Sequence, residues 1–148
     1  MSRILIASDH AGFKLKNALA GLLEKKGYAV EDLGVDSDAE KVDYPDFSFK
    51  LGEKVAKENA QGVLVCGTGA GVAIAANKVK GVRAAQAYDI QSARDAKIHN
   101  NANVITLSGY RFTAEQALEL VEAWLSSEFE NEERRTRRVR KITDYENR

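Results

Sequence analysis

Cys66 ends the apolar run Val63-Leu64-Val65-Cys66 and is followed at once by Gly67-Thr68-Gly69-Ala70-Gly71, after which Val72-Ala73-Ile74-Ala75-Ala76 continues without a proline. The run reads as a buried strand and the alanine-rich segment as a helix. The glycines between them form a turn whose main-chain N–H groups an anion can approach closely. A thiol at such a place is biased towards thiolate by the helix start. The pattern therefore sets a base beside a cradle for an oxyanion. Two other uses of a glycine-rich turn are excluded by spelling. A nucleotide P-loop closes with Gly-Lys-Ser/Thr, whereas Gly71 is followed by Val72 and Ala73, and a dinucleotide loop needs G-x-G-x-x-G rather than this G-x-G-x-G. A lone cysteine is also commonly just a small buried apolar side chain; the adjoining glycines weigh against that here.

The remaining candidates lie where strands hand over to other elements. Asp9 and His10 follow the apolar run Ile4-Leu5-Ile6-Ala7, and Thr68 follows Cys66. Tyr44 stands next to the only proline, Pro45, and His99 precedes Asn100 in a polar stretch. Asp9 could equally be a helix cap and His10 a surface imidazole. Two histidines and one cysteine show no close ligand spacing such as H-x-x-x-H, so no metal site is expected. Near the C-terminus Arg134 and Arg138 share a helical face at i, i+4, and two guanidinium forks on one face suit a phosphate monoester. The same charges could be a solvated helix laced by Glu–Arg pairs.

The elements that must position these residues alternate. Strands are expected at Ile4–Ala7, Tyr28–Leu33, the run ending at Cys66, 82–87 and Val104–Leu107. Between them come helices from about Phe13 to Lys26, stopped by Gly27; from a cap at Asp46 to about Asn59; from the glycine loop to a stop at Gly81; and from a cap at Asp89 to Ile98. Residues 34–46 read as a long exposed loop and 99–103 as a polar loop. Thr113 and Gln116 have capping-box spacing and open a last core helix. Five strands alternating with helices argue for an α/β fold: a three-layer α/β/α sandwich around a five-stranded parallel, Rossmann-like sheet, with a charged helical tail. Such sheets bind ligands outside the carboxyl ends of their strands. Asp9, His10, Cys66 and Thr68 fall there, and Tyr44 and His99 are expected in loops reaching the same rim.

With 148 residues, 44% of them hydrophobic, the chain suits one domain, 1–148, with 127–148 as its tail. Its 22 basic residues balance its 22 acidic ones, which argues against nucleic acid or an anionic membrane as a partner. A single cysteine and no long apolar stretch point to a reducing, cytoplasmic setting.

Taken together and in order, Ser8-Asp9-His10-Ala11-Gly12-Phe13, Asp43-Tyr44-Pro45, Cys66-Gly67-Thr68-Gly69, Ala75-Ala76-Asn77-Lys78, Gly81-Val82-Arg83-Ala84 and His99-Asn100-Asn101-Ala102-Asn103-Val104 closely resemble the type B ribose-5-phosphate isomerases. That family also includes allose-6-phosphate and galactose-6-phosphate isomerases. The resemblance implies aldose–ketose isomerisation of a phosphorylated sugar in the pentose phosphate pathway, through a cis-enediolate and without metal or other cofactor. It implies Cys66 as the base, Thr68 supporting it by a hydrogen bond, and the N–H groups of Gly67, Gly69, Ala70 and Gly71 holding the enediolate oxygen. His99 would act in ring opening and Tyr44 would line that end. Asp9 and Asn100 would hold sugar hydroxyls, and His10, Arg134 and Arg138 the phosphate. It further implies a homodimer or homotetramer with each site built from two chains, the tail packing on a partner subunit. Two departures stand out. The family's Gly-Gly-Arg-His stretch is replaced by Glu132-Glu133-Arg134-Arg135, and its Gly-x-Arg after strand five survives as Gly109-Tyr110-Arg111 at altered spacing. A hexose 6-phosphate substrate, or a non-catalytic sugar-phosphate-binding module, remains the alternative reading.

Overall fold

The computed structural model describes residues 3–148. Its elements run β1 (Arg3–Ser8), α1 (Phe13–Lys25), β2 (Ala29–Asp32), α2 (Tyr44–Glu58), β3 (Gln61–Cys66), α3 (Ala70–Ala76), β4 (Ala84–Gln86), α4 (Ile90–Asn100), β5 (Val104–Ser108), α5 (Ala114–Leu125) and α6 (Glu133–Glu146). The five strands are parallel in the order β2-β1-β3-β5-β4. Helices cover both faces, so the central strands bury both sets of side chains and read as continuous apolar runs. Ile4, Ile6, Val63, Val65, Ile105 and Leu107 pack with α1, α4 and α5, closed by the buried Trp124. Leu5, Ala7, Leu64 and Cys66 face the other way, onto Leu51 and Val55 of α2 and Val72 and Ala76 of α3. The edge strands β2 and β4 are only half-buried.

The expected α/β fold is the one observed, with shifts at element ends. Tyr44 lies in the first turn of α2 rather than in the preceding loop, and Asp43, not Asp46, takes the N-cap position. Pro45 explains this, because its fixed φ suits the first helical turn and its missing N–H costs nothing there. The helix after the glycine loop ends at Ala76, well before Gly81. Asn77 ends it: its side-chain amide leaves the helix to bond Ala84 of β4. The fourth strand shrinks accordingly to Ala84–Gln86. His99 and Asn100 belong to the last turn of α4, not to a loop, and the left-handed cap falls on Asn101. The capping boxes at Asp89 with Ser92 and at Thr113 with Gln116 both form.

Candidate active site

β1 and β3 are neighbours, yet the chain leaves them in opposite directions across the sheet. The crevice outside their carboxyl ends is the place this topology reserves for a ligand. Gly12 lets the turn after β1 close onto β3: a Cβ there would stand 2.5 Å from the Val65 carbonyl oxygen. The Asp9 N–H donates to that same oxygen at 3.3 Å.

Cys66 lies at the floor of this crevice, 5% exposed. Gly69 adopts a left-handed φ of 83°, a region other residues enter only with strain. This reversal turns the Gly69 N–H onto the cysteine Sγ, at 3.1 Å. The loop's carbonyls are anchored by side chains of β4 and β5. Ser108 Oγ donates to the Gly67 oxygen at 2.6 Å, Gln86 Nε2 to that of Thr68 at 2.9 Å and Thr106 Oγ1 to that of Gly69 at 2.7 Å. Of the loop's amides the Gly69 N–H is the one on the thiol, and the Ala70 N–H is taken by the Thr68 hydroxyl oxygen. Thr68 differs from expectation: its hydroxyl oxygen accepts from the Ala70 N–H at 3.2 Å and shapes the loop, with no bond to Cys66.

The rim is built from β1 and from the segment after β2. Asp9, 6% exposed, accepts from the Gly12 N–H at 3.0 Å through one carboxylate oxygen. His10 accepts from the Val42 N–H at 3.1 Å through Nδ1, which assigns the ring proton of the neutral form to Nε2. Tyr44 lies across Gly71, where an added Cβ would meet its ring at 2.8 Å. Holding this segment in place is Lys16 of α1, only 1% exposed. Its ammonium donates to both Asp32 carboxylate oxygens at 2.8 Å and to the Val35 carbonyl at 2.7 Å. Asp32 in turn accepts from the Gly34 N–H at 2.9 Å. The segment that carries Val42 and Tyr44 is thus pinned against β1, whose Ser8 N–H donates to Gly34 and whose carbonyl accepts from Val35.

His99, Asn100, Arg134 and Arg138 are not part of this cluster. The turn after α4 meets the amino edge of the sheet, where the Asn103 carbonyl accepts from Gly62. Gly62 pairs with Val104 and Cys66 with Ser108. Four strand residues separate the two levels, roughly 13 Å. His99 and Asn100 are therefore on the edge opposite Cys66 in their own chain, against the expectation that His99 reaches the same rim. The reason is topological: a helix joining parallel strands returns to the amino edge. Asn100 lines a cleft of about 350 Å³ there with Arg83, Ile142 and Glu146. The tail is tied to this edge as well, by Glu130 N–H on the Ile98 carbonyl and by Gly81 N–H on the Glu146 carboxylate. Arg134 pairs with Glu132, and Arg134 and Arg138 are both exposed on α6. Arg111, after β5, is exposed too.

Sequence reasoning missed Lys16, Thr106, Ser108 and Tyr110. Lys16 had a signal, a lysine on the buried stripe formed by Leu15, Leu19 and Leu23. Thr106 and Ser108 had none, because their hydroxyls sit in an otherwise apolar strand and their partners are 37 and 41 residues away. Among the described residues no group of three or more His, Cys, Asp or Glu comes together as a metal site, and no helix is long and apolar enough to cross a membrane.

The family model for Ribose/Galactose Isomerase matches residues 4–142. The chain belongs to that family. It is an isomerase, and solved members share its fold throughout. A ribose 5-phosphate isomerase from Thermotoga maritima superposes with a TM-score of 0.92 at 44% identity, over 97% of this chain and 98% of that one. The ribose-5-phosphate isomerase B of Mycoplasma genitalium, solved with bound ribulose-5-phosphate, gives 0.93 at 43%, over 98% and 96%. A D-erythrulose-4-phosphate isomerase of Pectobacterium atrosepticum is 42% identical over 131 residues, 88% of this chain and 86% of that one. The expected resemblance to type B ribose-5-phosphate isomerases is thus borne out across nearly the whole chain.

Proposed function

We propose that this isomerase interconverts ribose 5-phosphate and ribulose 5-phosphate through a cis-enediolate with Cys66 as the base. The observation that carries the reading is a buried thiol at the root of a glycine loop, with the Gly69 N–H already on the sulfur. In the forward direction the Cys66 thiolate takes the proton from C2 of the open-chain aldose. The C–H electron pair becomes the C1–C2 double bond and the O1 carbonyl becomes an enediolate oxygen, which the N–H groups of residues 67–71 stabilise. The C2 hydroxyl's proton passes to O1, which becomes the C1 hydroxyl; as the C2 carbonyl forms, the electron pair of the C1–C2 double bond takes the proton from the thiol onto C1 and the thiolate is regenerated. One well-aimed oxyanion donor contributes about 3 kcal/mol to such a step. Asp9 offers its free carboxylate oxygen to a sugar hydroxyl, His10 its Nε2–H to the phosphate, and Tyr44 a wall.

A second copy of the chain completes this site. His99, for ring opening, Asn100, and the arginines 134 and 138, for the phosphate, all lie at the edge opposite their own Cys66, so only another subunit can present them to it. α6 buries none of its residues in its own chain, which supports residues 127–148 as the arm that does so. A homodimer, alone or paired into a tetramer, is part of this reading, and the lone reduced cysteine suits the cytoplasm.

A second substrate reading, a four-carbon ketose phosphate, is favoured by the similarity to a D-erythrulose-4-phosphate isomerase. Proton NMR in D2O decides among ribose 5-phosphate, erythrulose 4-phosphate and allose 6-phosphate. Ribulose 5-phosphate with solvent deuterium in the sugar is the expected product. The C66A variant should lose about 10³-fold or more of this turnover with an unchanged circular dichroism spectrum. Near-normal turnover by C66A would refute the cysteine base, and no conversion of any of the three by wild type would leave a binding module.

A further inference from the structure

Tyr110 is 74% exposed, yet its backbone is tied to the glycine loop. Its N–H donates to the Gly67 carbonyl at 3.2 Å, and the Gly109 N–H before it to the Cys66 carbonyl at 2.8 Å. The Ser108 hydroxyl takes the remaining position on the Gly67 oxygen. The ring is folded over Gly67: an added Cβ there would stand 2.5 Å from Cε2, 2.6 Å from Cζ and 2.7 Å from the hydroxyl oxygen. Tyr44 does the same at the other end of the loop, over Gly71. The glycine loop therefore has two phenol rings folded over glycines four residues apart, Gly67 and Gly71.

We propose that Tyr110 is a specificity-determining residue, the wall that limits the length of sugar phosphate able to lie on the 67–71 cradle. The inference rests on the sugar-phosphate reading above. On this reading a polyol with its reacting carbons over Cys66 lies between the two rings over Gly67 and Gly71, and a chain one carbon longer meets one of them. Tyr44 is carried on α2, at the end of a segment held by Lys16 and Asp32, whereas Tyr110 is strapped directly to the loop that carries the chemistry.

The test compares wild type, Y110A and Y110F on erythrulose 4-phosphate, ribose 5-phosphate and allose 6-phosphate. With the wall removed, the ratio of kcat/KM for the hexose phosphate to that for the pentose phosphate should rise about tenfold in Y110A, the scale on which one carbon is discriminated in a shaped pocket. Y110F keeps the ring and should keep the wild-type ratio. An unchanged ratio in Y110A overturns the proposal, even if both rates fall together. A ratio altered as much in Y110F as in Y110A overturns it too, because the hydroxyl rather than the wall would then select. Wild type inactive on all three sugars refutes the sugar-phosphate reading itself, before any variant is compared.

Discussion

Cys66 and Lys97 show how far two ordinary side chains are changed by where the fold puts them. The buried Cys66 thiol accepts a backbone N–H because Gly69 folds back to meet it. Lys97, on α4, is half-buried with its ammonium 4.6 Å from the ring of Trp124 and bonded to the Gln61 side chain. Burial, with the neighbouring charge of Arg83 adding to it, lowers its pKa from 10.5 to about 8. Between those two values the unfolded chain holds a proton that the folded chain has released, so the contribution of this group to stability rises with pH across that window. Below about 8 the folded state carries the poorly solvated charge in full. Urea unfolding of wild type and K97M should therefore show wild type gaining on the variant from about pH 8 to 10.5. Parallel pH profiles would contradict the assignment.

At the scale of elements, β4 is one of the two edges of the sheet and only three residues long, a place where unpaired backbone groups invite another strand. Asn77 blunts it. Its side chain accepts from the Ala84 N–H and donates to the Ala84 carbonyl, both at 2.8 Å, as a paired strand would. The same residue ends α3, so one side chain sets a helix stop and a strand edge together. N77A should lower stability by about 1 kcal/mol in urea unfolding and increase aggregation on heating. N77D, which keeps the acceptor but loses the donor, should fall between. Stability and aggregation equal to wild type in both variants would mean that water replaces the amide at no cost.

For the whole molecule the decisive fact is a separation. Cys66, Asp9, His10 and Tyr44 occupy the carboxyl edge of the sheet, while His99, Asn100 and the α6 arginines occupy the amino edge. If the site is shared between two copies, inactive C66A and H99A chains should complement each other once unfolded together and refolded. Half the dimers are then mixed and half of their sites intact, so about a quarter of wild-type activity should return. No recovery, with mixed dimers shown to be present, would mean that each site is built within one chain.

The amino-acid sequence alone determined the alternation of strands and helices, the glycine loop with its thiol, the helix cap at Asp89 and the capping box at Thr113. These rest on periodicity, on glycine's freedom and on hydrogen bonds spanning three residues, all of which are local. What only the tertiary structure decided involves partners distant in the chain. Lys16 meets Asp32 and Val35 across two elements, Thr106 and Ser108 anchor carbonyls of a loop some forty residues earlier, and Tyr110 lands on Gly67. The same holds for His99: its residue type and polar neighbours suggested a site, but the direction of α4 under a parallel sheet set which edge it serves. Direction in space is a property of the closed sheet, and no window along the chain contains it.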